Sequence, residues 1–193
     1  MVFRFLVLFF AVFSAYGAEV AGGTLPDTDQ QLVLNGAGLR KRAFFQVYAI
    51  GLYLPEKKTA AAEAIGAAGS KRIVIHMLRD VDADQFTGAL MDGMKDNHSE
   101  ADMKSLEPRA KQLAAIMAEV KEAKKGMRIT LDWLSAAGTT ITVDGRAAGL
   151  PILGEDFYRA LLKIWLGDKP VDKDLKPLLL GAKPETVAVN TGQ

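Results

Sequence analysis

The chain has 193 residues, 49% of them hydrophobic, and its 24 Lys and Arg against 23 Asp and Glu give a formal net charge of +1. Interspersed charge and the lack of an internal repeat fit one domain with a sizeable core, and no basic stripe points to a nucleic-acid partner. The chain contains no cysteine, which excludes disulfides, thiolate metal sites and a Cys nucleophile and leaves the apolar core to hold the fold.

At the N-terminus a single charge, Arg4, precedes the unbroken apolar run Phe5–Phe13, and small residues follow through Ala18. This three-part pattern predicts a signal peptide over residues 1–18, cleaved after Gly17 or Ala18. The run is short for a comfortable membrane span, and with a single charge in front of it an uncleaved anchor is the alternative reading. The expected product is periplasmic or secreted, with no stable span after cleavage, a single domain over residues 19–184 and a flexible tail over 185–193.

Gln31–Leu34 reads as a strand, and Asn35-Gly36 marks a turn or bulge. Phe44–Leu54 is rich in aromatic and branched residues and reads as a strand that Pro55 ends. Thr59–Ala68 is a short Ala-rich helix and Arg72–Leu78 another strand. Asp82–Lys95 is a helix with Phe86, Leu90 and Met94 on one face at steps of four. Over Glu100–Lys125, Met103, Leu106, Ala110, Leu113, Met117 and Val120 form one apolar stripe that fits core packing. Pro108 fits the first turn of a new helix starting near Ser105. Met127–Leu134 and Thr139–Val143 alternate and form a hairpin, and Asp144-Gly145 turns the chain into a third strand near Arg146–Ala148. Glu155–Leu166 is a helix stopped by Gly167, and Asp172–Leu180 a last helix capped by Asp172. Strands and helices come in blocks, which predicts an α+β fold with helices on one face of a largely antiparallel sheet.

Most motifs for chemistry are missing. Gly36-Ala-Gly38 lacks the third glycine of a phosphate loop. No Ser nucleophile elbow and no paired His spacing for zinc is present. His76 lies in a strand with the parity of Val74, and His98 lies in the polar run before the long helix. Arg79-Asp80 fits a structural ion pair or a helix start, with Asp82 as the cap. What stands out is Arg40 and Arg42 beside the apolar strand that follows them. An arginine drawn toward an apolar face needs an anionic partner or a route to water.

Gly36-Ala-Gly-Leu-Arg40 with Phe45-Gln-Val-Tyr-Ala-Ile-Gly-Leu-Tyr-Leu54, then Leu78-Arg-Asp-Val81 with Phe86, then the block Leu161–Lys176 ending in Asp-Leu-Lys, fall in the order of a known family. The chain resembles the chalcone isomerase-like superfamily, in its bacterial exported branch. The resemblance implies an open-faced β-sandwich, a large antiparallel sheet with helices layered on one face and a ligand cleft between. Of the positions that ring-closing isomerases use, Arg40 matches the arginine and Tyr48 falls where a strand threonine stands. The central-helix tyrosine has no counterpart among Tyr16, Tyr48, Tyr53 and Tyr158, Asn97 lies ahead of the helix, and the C-terminal hydroxyl falls near Ile164. Other members bind fatty acids without catalysis and hold the carboxylate with the matching arginine and a strand tyrosine, here Arg40 and Tyr48.

Arg can hold a carboxylate through two parallel hydrogen bonds, and Tyr adds a neutral donor on an apolar body. The alkyl or ring part of the ligand is expected against Phe44, Phe86, Met94, Leu113 and Trp165. Geometry sets a condition. On one continuous strand, Arg40 and Tyr48 would stand about 26 Å apart, so the chain must reverse at about Lys41–Ala43. The expected function is non-catalytic binding of a small amphipathic anion such as a fatty acid, without a cofactor. Two alternatives stay open: an isomerase or lyase acting on a planar carbonyl compound, with Tyr48 as acid, and a haem-binding protein using His76 or His98.

Overall fold

The computed structural model describes residues 17–20, 23–26, 28–29 and 31–183. The expected leader, apart from Gly17 and Ala18, and the expected tail 185–193 lie outside the described residues. In chain order the elements begin with β1 (Gly17–Val20), β2 (Gly23–Pro26), β3 (Thr28–Asp29), β4 (Leu32–Arg42) and β5 (Phe45–Leu54). Next come α1 (Ala61–Gly66), β6 (Lys71–Met77), β7 (Val81–Asp82), α2 (Ala83–Asp96), α3 (Glu100–Val120) and β8 (Glu122–Ala123). The chain closes with β9 (Arg128–Leu134), β10 (Gly138–Val143), β11 (Arg146–Ala147), α4 (Glu155–Leu166) and α5 (Leu175–Leu179).

One sheet of seven strands, ordered β11-β10-β9-β6-β5-β4-β3, carries the fold. Every neighbouring pair is antiparallel. Its two faces follow the period-two pattern. Tyr48, Ile50 and Leu52 of β5, with Ile73 and Ile75 of β6, point to the helices and join Phe86, Leu113, Phe157 and Trp165 in the main core. Tyr53 and Val74 point the other way and pack with Leu25, Leu32 and Leu34 in a second cluster. The opposite parity of Tyr48 and Tyr53 therefore separates them into the two clusters. The turn at Asp144-Gly145 has φ of 49° and 77°, the left-handed pair that a two-residue hairpin requires.

Several boundaries differ from expectation for local reasons. Asn35-Gly36 is a bulge rather than a strand end: β4 shifts register between Leu34 and Gly36 and runs on to Arg42. Pro108 does not restart a helix, because Ser99 and Asp102 form a capping box and one helix runs from Glu100 to Val120. That helix stops short of Lys125. Lys121 turns left-handed, at φ 63°, so that Ala123, completely buried, pairs with Val81. The last helix is shorter than Asp172–Leu180, beginning at Leu175. It packs on β4 at Gly36 and Gly38. A Cβ on Gly36 would meet the Leu178 carbonyl oxygen and come within 2.7 Å of Leu179, and one on Gly38 would lie 2.7 Å from Leu175 Cδ1. The two glycines admit a helix, which is the close approach that only a missing side chain allows.

Candidate functional site

The reversal that the site requires is present. β4 and β5 form a hairpin whose two-residue turn is Ala43-Phe44, and Arg40 stands directly opposite Tyr48 in the ladder. The chain turns one or two residues later than expected, with Ala43 at φ 52°. A second register shift, between Arg40 and Lys41, leaves Val47 as the extra residue on β5. The bulge has two consequences. The Val47 carbonyl accepts from Leu78 N at 3.0 Å, and Lys41 N donates to Asp172 Oδ2 at 3.0 Å.

Asp172 is the partner that the sequence did not reveal. Its Oδ1 accepts from Asp174 N at 3.0 Å and Leu175 N at 3.3 Å in an Asx-type turn ahead of α5, whose N-cap is Asp174 rather than the expected Asp172. Its Oδ2 also lies 3.6 Å from Arg40 Nη1. That separation exceeds hydrogen-bonding length. The carboxylate balances the guanidinium charge without occupying its parallel N–H pair. Three backbone donors fix Asp172, and the seating of α5 on Gly36 and Gly38 fixes them in turn. The only readable signal was the Asx-type turn before the helix; nothing in the sequence ties it to Arg40.

Tyr48 is buried, and its hydroxyl accepts from Trp165 Nε1 at 2.9 Å. Its ring meets Phe86 edge-on, with centroids 6.3 Å apart and planes at 75°. Burial pushes the phenol up to about 12, against smaller lowering effects of the Trp165 hydrogen bond and Arg40. At neutral pH it is a neutral donor, and with Trp165 occupying a lone pair its own proton is available to a third atom.

Arg40 and Tyr48 stand at one side of a cleft of about 1030 Å³ between the start of β5, α2 and the chain after α4. Val47, Phe86, Leu90, Ile164 and Val171 supply apolar lining; Arg42, Arg79, Asp80, Asp92 and Asp96 supply charge. The Arg79 guanidinium stacks over the Phe45 ring at 4.9 Å. Asp80 accepts from Lys125 N at 2.7 Å, and Asp82 caps α2 as expected.

The remaining residues expected around the ligand divide. Phe86 lines the cleft. Trp165 lies behind Tyr48 as its hydrogen-bond partner. Met94 and Leu113 are completely buried in the helix-side core and do not line the cleft. Phe44 does not line it either. The two-residue turn places it beyond the last ladder pair, fully exposed, so the expected strand start at Phe44 moves to Phe45. Neither histidine lines the cleft. His76 lies on the Val74 side of β6, and His98 Nδ1 is 2.8 Å from the Met94 carbonyl oxygen.

A helix-covered antiparallel sheet with an Arg–Tyr pair at the edge of a cleft defines an α+β open-faced sandwich with a ligand-sized site. The chain belongs to the chalcone isomerase-like family, whose model it matches over residues 17–181. No curated protein matches the sequence. Among solved structures it is similar to a fatty-acid binding protein of Arabidopsis thaliana, at 17% identity and a TM-score of 0.63, covering 82% of this chain and 92% of that one. This likeness is one of fold.

Proposed function

We propose that the cleft binds a small amphipathic anion, such as a fatty acid, without catalysis, with the carboxylate held by Arg40 and Tyr48. The observation that carries this reading is the cross-strand pairing of Arg40 with Tyr48 at the cleft. It offers a charged fork and a neutral donor to one anionic head, while Phe86, Leu90 and Val47 offer an apolar surface to its tail. The fatty-acid binding protein of the same fold adds support. The N-terminal apolar run supports export, so the ligand would be met outside the cytoplasm.

Asp172 competes with the ligand for Arg40, and this gives the test two arms. Ligand extracted from purified protein and identified by mass spectrometry should be an amphipathic carboxylate. Displacement of a fluorescent fatty acid should weaken at least tenfold, on the order of one charge-assisted hydrogen bond, in Arg40→Ala. It should tighten in Asp172→Asn, which keeps one oxygen for Asp174 N and Leu175 N, gives up the bond from Lys41 N and removes the competing charge. Unchanged affinity in Arg40→Ala would sink the site assignment. Conversion of a chalcone by ligand-free protein would move the reading to an isomerase.

A further inference from the structure

We propose that the tip of the β4–β5 hairpin is a docking surface for an anionic lipid membrane. Phe44 is 100% exposed and Phe45 60% exposed, side by side at the end of a hairpin. Arg79 covers one face of the Phe45 ring, but Phe44 lies wholly in water, an apolar exposure that a partner surface would relieve. The charge around it selects the partner. From Asn35 to Pro55 the hairpin carries Arg40, Lys41 and Arg42 and no carboxylate. The sheet register brings two further turns to the same end: Tyr48 pairs with Met77, His76 with Arg128, and Gly126 N donates to the Met77 carbonyl. These turns add exposed Arg79, Lys124 and Lys125. The carboxylates at this end are largely engaged. Asp80 accepts from Lys125 N, Asp82 caps α2, Glu122 lies 4.0 Å from Lys124, Asp144 accepts from Arg128 N and Asp172 from Lys41 N, with Asp84 in the first turn of α2; none of them lies on the hairpin that carries Phe44 and Phe45.

Aromatic rings flanked by Lys and Arg suit the headgroup layer, where the rings enter the acyl boundary and the cations meet lipid phosphates. A second copy of this chain fits less well, because two facing tips would bring like charges together. The docking surface stands on the tip alone and holds whether or not the cleft takes a fatty acid. If it does, the cleft, bordered by Arg42 and Phe45, opens beside the lipid surface.

Flotation of the full chain with vesicles tests this. The protein should bind vesicles of phosphatidylcholine with about a third phosphatidylglycerol, bind pure phosphatidylcholine weakly, and release as salt screens the surface. Phe44→Ser should weaken binding about tenfold, the scale of one buried aromatic ring. Lys41→Glu should weaken it by more than the roughly fivefold that one cation near an anionic surface contributes. Phe44 is exposed and does not line the cleft, so folding and fatty-acid affinity should stay unchanged in Phe44→Ser, which separates failure here from failure of the cleft assignment. Absence of binding to anionic vesicles would overturn the proposal. So would vesicle binding undiminished in Phe44→Ser, which would assign the contact to another segment. A dimer that dissociates in Phe44→Ser would instead assign the tip to a second copy and equally overturn it.

Discussion

Tyr48 joins the two halves of the site. Its ring belongs to the main core and its hydroxyl ties β5 to α4 through the Trp165 indole, while its strand partner is Arg40. Replacing it with Phe keeps the ring and its contact with Phe86 but strands the buried Trp165 N–H. An unpaired buried donor costs about 1–3 kcal/mol, so Tyr48→Phe should lower the unfolding free energy measured in urea by that much even though it removes a single atom. It should also weaken an anionic ligand, since one of two donors to the head is gone. If stability were unchanged and affinity alone fell, the Trp165 hydrogen bond would carry no weight in the fold. Much of this residue-level detail was legible from parity. Tyr48 and Tyr53 differ by an odd number, so one faces the helices and one does not. Asp172 was not legible in its second role, because its link to Arg40 crosses most of the chain and depends on where α5 comes to rest.

At the scale of elements, the glycines decide that resting place. Gly36 and Gly38 share a face of β4, and α5 lies across them closely enough that a methyl group on Gly36 meets backbone. The period-two spacing was visible in the sequence, but its meaning was not, since a bulge, a turn and a docked helix all ask for glycine. Boundaries were hidden for the same sort of reason. Val81 and Ala123 form a two-strand pair that shortens α3, a tertiary demand that local propensity does not carry. Gly36→Ala should force α5 away from β4, at a cost of about 1–3 kcal/mol for an overpacked contact. Because Asp172 precedes α5, the displacement should also change ligand affinity, in contrast to a surface Gly→Ala. Thermal denaturation and ligand titration of the same variant would check both effects. A variant with wild-type melting would show that α5 can slide without loss.

The architecture of the whole molecule was read correctly from block order and alternation, because a sheet with one helix-covered face leaves those marks in composition. What alternation could not supply was the second cluster beneath the other face, built from Leu25, Leu32, Leu34, Tyr53 and Val74. His76 sits at the margin of that face, half-buried, opposite Arg128 in the ladder. Burial first, and the Arg128 charge second, hold its imidazole below the usual range, with Asp144 acting weakly in the other direction. The unfolded chain therefore takes up the proton more readily than the folded one. Stability rises with pH wherever the unfolded state binds more protons, so it should fall as pH drops below the ordinary histidine value of about 6.5. Carboxylates enter at lower pH. Glu155 is held down by its hydrogen bond from Lys71 and Asp156 by that from Arg109, and both lose their contribution only on further acidification, below about pH 4.5. The window between about pH 7.5 and 5.5 thus excludes the carboxylates, and substitution at His76 tests that imidazole within it. The urea midpoint of the parent should decline across it, and His76→Gln, which cannot take a proton, should flatten the decline. An equal decline in the variant would place the titrating group elsewhere and leave His76 a passive spacer on the sheet.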